Sequence, residues 1–120
     1  MTNQEIFDKV LTHLRKQGKR AIDVNDEVCM YRGHEPGTSC AAGCLIKDEF
    51  YSKEFEGCIV NSANDRGIKL RQALQDSGVT PDQFDLVRDL QSTHDNIDPD
   101  RWENQFKITS TKFNLIYTAI

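Results

Sequence analysis

The sequence is short and acidic, and these two properties limit its architecture and its partners. Its 120 residues suffice for one hydrophobic core but not for two, so we expect a single globular domain over residues 1–120. The net charge of -4 argues against general nucleic-acid binding, which needs clustered Lys and Arg.

The first helix is predicted over residues 2–17. Thr2 and Glu5 have the spacing of a capping box, and Gly18 supplies the stop. Apolar residues recur at helical spacing, namely Ile6, Phe7, Val10, Leu11 and Leu14. His13 lies beside this stripe and is interpreted as a hydrogen-bonded residue at the edge of the core.

The middle of the chain combines residues typical of strands with residues typical of turns. The stretch VCMYR, residues 28–32, favours a short β-strand, and FEGCIV, residues 55–60, favours a second strand that could pair with it. Between them, Gly and Pro in GHEPG break regular structure. Thr38 or Ser39 can then cap a short helix over residues 40–46.

Three more helices are predicted, over residues 65–76, over residues 80–93 and from Asp98 onward. Thr80 and Gln83 form a second capping box, and Gly78 ends the helix before it. The residues expected on the inward faces are Ile68, Ala73, Leu74, Phe84, Val87, Leu90, Trp102, Phe106 and Phe113. The predicted fold class is α+β, mainly helical, with about four to five helices and a small two-stranded element around the Cys-rich segment.

The cysteines are expected to be reduced. No apolar run approaches the roughly 18 residues of a membrane span, and no apolar stretch follows Met1 as in a signal peptide. We therefore expect a cytoplasmic protein, in which four cysteines are more typical of thiols or metal ligands than of disulfides.

Zinc binding is the first chemistry that the Cys-rich segment suggests. Cys40 and Cys44 lie one helical turn apart and would face the same way. The side chains that could complete a tetrahedral site are Cys29, His34, Cys58 and His94. No C-x-x-C pair is present, however, and free cysteines often pack as small apolar residues. We expect no cofactor, with zinc as the alternative.

A thiol-dependent hydrolase is a second possibility. The helix dipole could lower the pKa of Cys40, and His94 with Asp95 could act as base and orienting partner. His94 falls at a predicted helix end, and any chain with a few Cys and His residues offers such a pair. We therefore expect a protein without enzymatic activity.

An anion-binding loop is the third possibility. The Arg32 guanidinium, two hydroxyls and backbone N–H groups could meet at a helix start, where Tyr31 could stack on a base. Glu35 opposes an anion, and no G-K-[ST] sequence is present. Alternatively, the glycines shape a tight loop and Arg32 pairs with a carboxylate. The residues predicted to contact a ligand or partner are Tyr31, Arg32, Gly33, His34, Thr38, Ser39, His94 and Asp95.

Four segments of the sequence together resemble a family of small uncharacterised proteins of phages and prophages. They are HLRKQG, CMYRG, CAAGCLIKDEFYSKEFEG and LQSTHDN. The positions that match the family's pattern are His13, Cys29, Tyr31, Arg32, Gly33, Cys40, Gly43, Cys44, Asp48, Glu49, His94 and Asp95. The chain departs from it with PGTSCA, where the family has Gly-Leu-Lys, and with Lys47 in place of Pro.

The resemblance implies a phage context but no assigned activity. Small acidic phage proteins without a catalytic signature often act by binding. We expect a protein of the host cytoplasm that inhibits or sequesters a host or anti-phage defence component through an acidic, partly aromatic surface. The alternative is a sponge that binds a nucleotide-type signalling molecule. Neither hypothesis involves a membrane.

Overall fold

Five α-helices make up the regular structure of the chain. A computed structural model describes all residues from Met1 to Ile120. The helices are α1 (Asn3–Gln17), α2 (Ala41–Leu45), α3 (Asp65–Asp76), α4 (Phe84–Asn96) and α5 (Trp102–Lys112). Single 3-10 turns span Asp48–Phe50, Lys53–Phe55, Pro81–Gln83 and Pro99–Arg101. None of the helices has both the length and the apolar character needed to cross a membrane.

The core lies between α1, α2 and α4, and α5 packs on the outer side of α4. The predicted apolar stripe of α1 is entirely buried. Thr2 and Glu5 form the predicted capping box, and Gly18 ends the helix with a left-handed φ of 68°. The start of α1, its end and its buried face are thus all confirmed.

The predicted α+β class is wrong, because the structure has no sheet. The segment between α1 and α2 makes only two isolated antiparallel bridges, Ile22 with Cys29 and Arg32 with Ser39. Residues 55–60 form no strand; Phe55 ends a 3-10 turn, and the residues after it have no regular structure. The backbone N–H groups of Tyr31 and Arg32, which a neighbouring strand would have accepted, are accepted by the Glu56 side chain.

Most other helix limits agree with the sequence, with two local corrections. α2 starts after Cys40, whose sulfur accepts the N–H of Gly43, so neither Thr38 nor Ser39 is its cap. Ile68 was expected to face inward but is 54% exposed on α3. The capping box at Thr80 is present, although the chain makes a 3-10 turn there before α4 begins.

Candidate ligand-binding groove

The largest cavity lies where α1, the loop of residues 32–39 and α2 meet. Its volume is about 570 Å³, within the roughly 300–1,000 Å³ usual for small-molecule sites. The lining residues are His13, Arg32, Gly33, Gly37, Thr38, Ser39, Gly43, Cys44, Ile46 and Asp48. Only two of these ten are apolar, so the wall suits a polar ligand. We call this cavity the Arg32 groove.

Arg32 brings a positive charge to the groove. Its Nη1 donates to the Asp48 carboxylate at 2.7 Å, and its Nη2 donates to the Ile46 carbonyl at 2.8 Å. The Tyr51 ring lies against the guanidinium, 4.7 Å from Cζ to the ring centroid. The Asp48 side chain is 96% exposed. The cation is therefore positioned by buried groups but paired with a carboxylate that remains in solvent.

Glu56 fixes the backbone that carries Arg32. Its carboxylate accepts the Tyr31 N–H at 2.8 Å, the Arg32 N–H at 3.2 Å and the Tyr51 hydroxyl at 2.5 Å. The Tyr31 hydroxyl donates to the Cys58 carbonyl, and the residue is only 5% exposed. Burial raises the pKa of Tyr31, because a buried phenolate would lose its hydration. Tyr31 is thus a core residue and is not placed to stack on a base.

Two glycines allow the walls of the groove to approach each other. A Cβ on Gly33 would lie 2.2 Å from Thr38 Oγ1, and a Cβ on Gly43 would lie 2.0 Å from the Tyr31 carbonyl oxygen. The second contact is with backbone, which cannot turn away as a side chain can. α2 can therefore pack directly on the backbone of residues 28–32, which we call the strand-like segment, only because residue 43 has no side chain.

α1 forms the opposite wall and is tied to the loop. His13 Nε2 lies 2.8 Å from the Ser39 carbonyl oxygen, so this nitrogen carries the proton and donates it. Gln17 accepts the Ser39 N–H at 2.9 Å and donates to the Ser39 carbonyl at 3.0 Å. These bonds confirm His13 as a hydrogen-bonded residue at the edge of the core, and they hold the loop on α1.

The thiols near the groove are not activated. Cys40 is fully buried, and burial raises its pKa well above the ordinary value. Cys44 is half-buried on the groove wall, and desolvation raises its pKa to about 12. Because the thiolate is the nucleophile, neither residue has the character of a catalytic cysteine at neutral pH.

His94 belongs to a buried hydrogen-bond network. Its Nε2 accepts the Ala21 N–H at 2.9 Å, so Nδ1 carries the proton and donates it to Asp95 Oδ1 at 2.7 Å. Gln91 donates to the same oxygen at 2.9 Å and accepts the Ala42 N–H at 2.9 Å. The network joins α4 to both ends of the irregular segment, and His94 has no free nitrogen to act as a base.

One group of side chains could be considered for a metal. Cys29, His94 and Asp95 have potential ligand atoms within 4.8 Å of one another. A metal on His94 would have to displace either the Ala21 N–H or the Asp95 carboxylate. The candidates Cys29, Cys40, Cys44 and His34 do not form such a group among themselves. Both nitrogens of His94 are thus already occupied by hydrogen bonds within the protein.

The residues predicted to contact a ligand fall in different parts of the molecule. Those in the Arg32 groove are Arg32, Gly33, Thr38 and Ser39. Those in the buried network are His94 and Asp95. Tyr31 lies in the core, and His34 is exposed but does not line the groove. The sequence therefore predicted the residues of the loop wall correctly, but the other predicted contact residues do not line the groove.

Other groove residues were not predicted as ligand contacts. The ones that complete the walls with polar or close-packed groups are His13, Gly43, Cys44 and Asp48. All four are among the positions that the predicted resemblance to a phage and prophage family singles out. That shared pattern was the available signal, because spacing along the chain does not show that α1 faces this loop.

Comparison with known proteins identifies no relative of this chain. No protein-family profile matches the sequence, and no curated protein or solved structure matches it significantly. The resemblance to the phage and prophage family, and any function taken from it, therefore stays a prediction.

Proposed function

We propose that this protein acts by binding a small anionic molecule of the nucleotide type in the Arg32 groove. The observation that carries the proposal is a polar cavity of about 570 Å³ that contains an arginine with unused donors. In the context that the resemblance implies, the protein is phage-encoded, works in the host cytoplasm and sequesters a signalling molecule. The proposal involves no metal, so we expect elemental analysis of the purified protein to find no stoichiometric zinc.

The hydrogen bonds of Arg32 support an anion as the ligand. Of the five N–H donors of a guanidinium, one binds Asp48 and one binds Ile46. Nε is buried and has no partner, so it does not reach a ligand, but each terminal nitrogen keeps one further N–H. Terminal N–H groups of Arg32 are therefore free to bind a phosphate or carboxylate, groups that match the guanidinium in shape and charge.

The exposed Asp48 is the competitor that an anionic ligand must replace. An ion pair with one partner in solvent contributes roughly 0–1 kcal/mol, so its loss costs little. The hydroxyls of Thr38 and Ser39 give the groove further neutral polar groups. Binding would thus exchange a weak internal pair for a ligand held on several sides.

A titration with inorganic phosphate and AMP tests the proposal. We expect AMP to shift NMR signals of the groove residues and to raise the melting temperature of the wild-type protein by mass action. Arg32→Gln should weaken AMP binding at least about tenfold, since it removes a charged hydrogen-bond donor. The matched control is Arg66→Gln, on an exposed position of α3 away from the groove.

Two outcomes would contradict the proposal. One is that neither phosphate nor AMP binds the wild-type protein at millimolar concentration. The other is that Arg66→Gln and Arg32→Gln weaken AMP binding equally, which would indicate non-specific attraction. Because Arg32 also supports the loop, its variant is compared only after its melting curve shows a folded protein.

A second candidate function is inhibition of a partner protein, and a different surface favours it. Two adjoining cavities of about 340 and 360 Å³ share Ile59, Gln91, Asp95 and Asn96. Val28 and Ile59 at this surface are 51% and 63% exposed. Asp95 accepts both of its hydrogen bonds on Oδ1, so Oδ2 is left for a cation. A partner segment with an aliphatic side chain beside a Lys or Arg would match this surface.

A peptide of alternating Lys and Leu tests this second candidate. We expect it to bind more tightly than a peptide of alternating Glu and Leu, because three acidic residues, Glu27, Asp89 and Asp95, line the surface against one basic residue, Arg88. Ile59→Ser should weaken binding, whereas Ile108→Ser, on an equally exposed position of α5, should not. Equal binding of the two peptides, or equal effects of the two variants, would rule this surface out.

A further inference from the structure

The Arg32 groove adjoins a second polar cavity along α1. This cavity has a volume of about 330 Å³ and shares His13, Gly37 and Thr38 with the groove. Lys16 and Lys19 are the lysines that line it. The two cavities thus share part of the loop that follows Arg32, with Arg32 lining one cavity and Lys16 and Lys19 lining the other.

The lysines are available to an anion. Lys16 forms no ion pair in the structure, and Lys19 pairs only with Glu35. The side chains of that pair are 54% and 60% exposed. Such exposed pairs contribute little to stability, because water screens them and ordering the side chains costs entropy. Glu35 is therefore a carboxylate that a stronger anion can displace from Lys19, just as Asp48 can be displaced from Arg32.

The two basic regions are held in a fixed relation. His13, Lys16 and Gln17 lie on one face of α1, since residues three and four apart are neighbours on a helix. Gln17 and Ser39 bind each other through both backbone groups of Ser39. The loop that follows Arg32 is therefore anchored on the same helix face that presents Lys16. A ligand spanning both cavities would meet a preformed surface, which limits the entropy lost on binding.

We propose that the two cavities together bind a molecule with two phosphate groups separated by a neutral part. One phosphate pairs with Arg32, and the other pairs with Lys16 and Lys19. The loop residues Gly37 and Thr38, which line both cavities, contact the neutral part. This inference rests on the proposed function of the Arg32 groove and specifies its ligand class, of which dinucleotides are members.

Calorimetric titrations with AMP and with cyclic di-AMP test the inference, because the first has one phosphate and the second has two that are separated by nucleosides. We expect wild-type protein to bind cyclic di-AMP at least about tenfold more tightly than AMP. The double variant Lys16→Gln/Lys19→Gln should lose that advantage while its affinity for AMP stays within about twofold, since AMP uses Arg32.

The matched control is Lys53→Gln/Lys69→Gln. It also removes one lysine without an ion pair and one exposed lysine in an ion pair, here Lys69 with Glu54, but neither lines the groove. We expect this variant to bind both probes as the wild type does. All of the exchanged lysines are exposed, so the variants should fold normally.

The possible results separate this inference from the proposal on which it rests. If AMP binds but cyclic di-AMP binds no better, or if both double variants behave alike, the second phosphate site is wrong and the Arg32 groove stands. If neither probe binds the wild-type protein, both proposals are wrong.

Discussion

The Arg32 groove and the His94 network are both polar clusters, but they differ in how fully their hydrogen-bonding groups are used. Both ring nitrogens of His94 have protein partners, and the side chain is completely buried. Arg32 is 27% exposed, and one of its partners, Asp48, lies almost entirely in solvent. A fully satisfied buried network specifies the fold. A partly satisfied cation at the surface keeps capacity for a ligand.

The largest effect on stability should come from disrupting the buried His94 network. His94→Ala leaves the Ala21 N–H without a partner and the Asp95 carboxylate with only the hydrogen bond from Gln91. It also removes a ring that stacks on Trp102 with 5.9 Å between the ring centroids. The cavity and the unpaired groups together should lower the free energy of unfolding by about 3–5 kcal/mol. Chemical denaturation measures this loss.

The control for that variant is His34→Ala. His34 is exposed, and its ring makes no hydrogen bond in the structure. Its free energy of unfolding should change by less than about 0.5 kcal/mol. Similar losses in the two variants would show that the His94 network does not hold the irregular segment in place.

The next largest effect should come from the contact between α2 and the strand-like segment. Gly43→Ala places a Cβ 2.0 Å from the Tyr31 carbonyl oxygen. The forced backbone shift should cost about 1–3 kcal/mol, although alanine normally stabilises a helix relative to glycine. An unchanged or higher denaturation midpoint would contradict the close approach and, with it, the shape of the groove wall.

A smaller effect should appear at alkaline pH. Burial raises the pKa of Cys40, and it raises that of Cys44 to about 12, whereas unfolded thiols ionise near pH 8.5. Above that pH the unfolded chain binds fewer protons than the folded one, so stability should fall as pH rises. Each thiol contributes a slope of up to about 1.4 kcal/mol per pH unit.

Denaturation between about pH 8 and pH 9 measures this slope below the range where tyrosines ionise. A Cys44→Ala variant should show a shallower fall than the wild type, because one titrating thiol is absent. Equal slopes for variant and wild type would show that Cys44 is more accessible to water than the structure has it.

The smallest change in stability should come from the exposed ion pair of Arg32 and Asp48 in the groove. Asp48→Asn removes the solvent partner of Arg32 and should alter the free energy of unfolding by less than about 0.5 kcal/mol. It should raise the affinity for inorganic phosphate about two- to fivefold, because the internal competitor is gone. Calorimetry at low ionic strength provides this measurement.

The neighbouring Glu49→Gln serves as the control, since Glu49 is also exposed but does not line the groove. It removes the same charge from the adjacent position. An equal gain in phosphate affinity for both variants would assign the effect to net charge and not to release of Arg32.

Local sequence signals were sufficient for most helices. Caps at Thr2 and Thr80 and the stop at Gly18 act within a few residues, so they can be recognised without tertiary information. Ile68 shows the limit of periodicity, because it is apolar and yet lies outside the face of α3 that is buried through Leu70, Ala73 and Leu74. The sheet was predicted wrongly since β-propensity indicates an extended backbone but not what satisfies its N–H groups.

Only those residues of the candidate groove that are close to one another in the sequence could be predicted. Arg32, Gly33, Thr38 and Ser39 belong to one loop, so their nearness follows from sequence. His13 and Asp48 reach the same cavity through the packing of α1 and the turn after α2, which no short motif encodes. The direction of Tyr31 was equally hidden, because its neighbours in sequence do not show which side of the segment faces the core.

The Glu56 carboxylate has a consequence for the order of folding. It binds the N–H groups of Tyr31 and Arg32 across 25 and 24 residues, a much longer separation than any contact within a helix. Contacts that close long loops form later than local ones, so helices such as α1 should form before this loop is fixed. During synthesis, a chain that has not yet reached residue 56 would contain α1 and the loop but no completed groove.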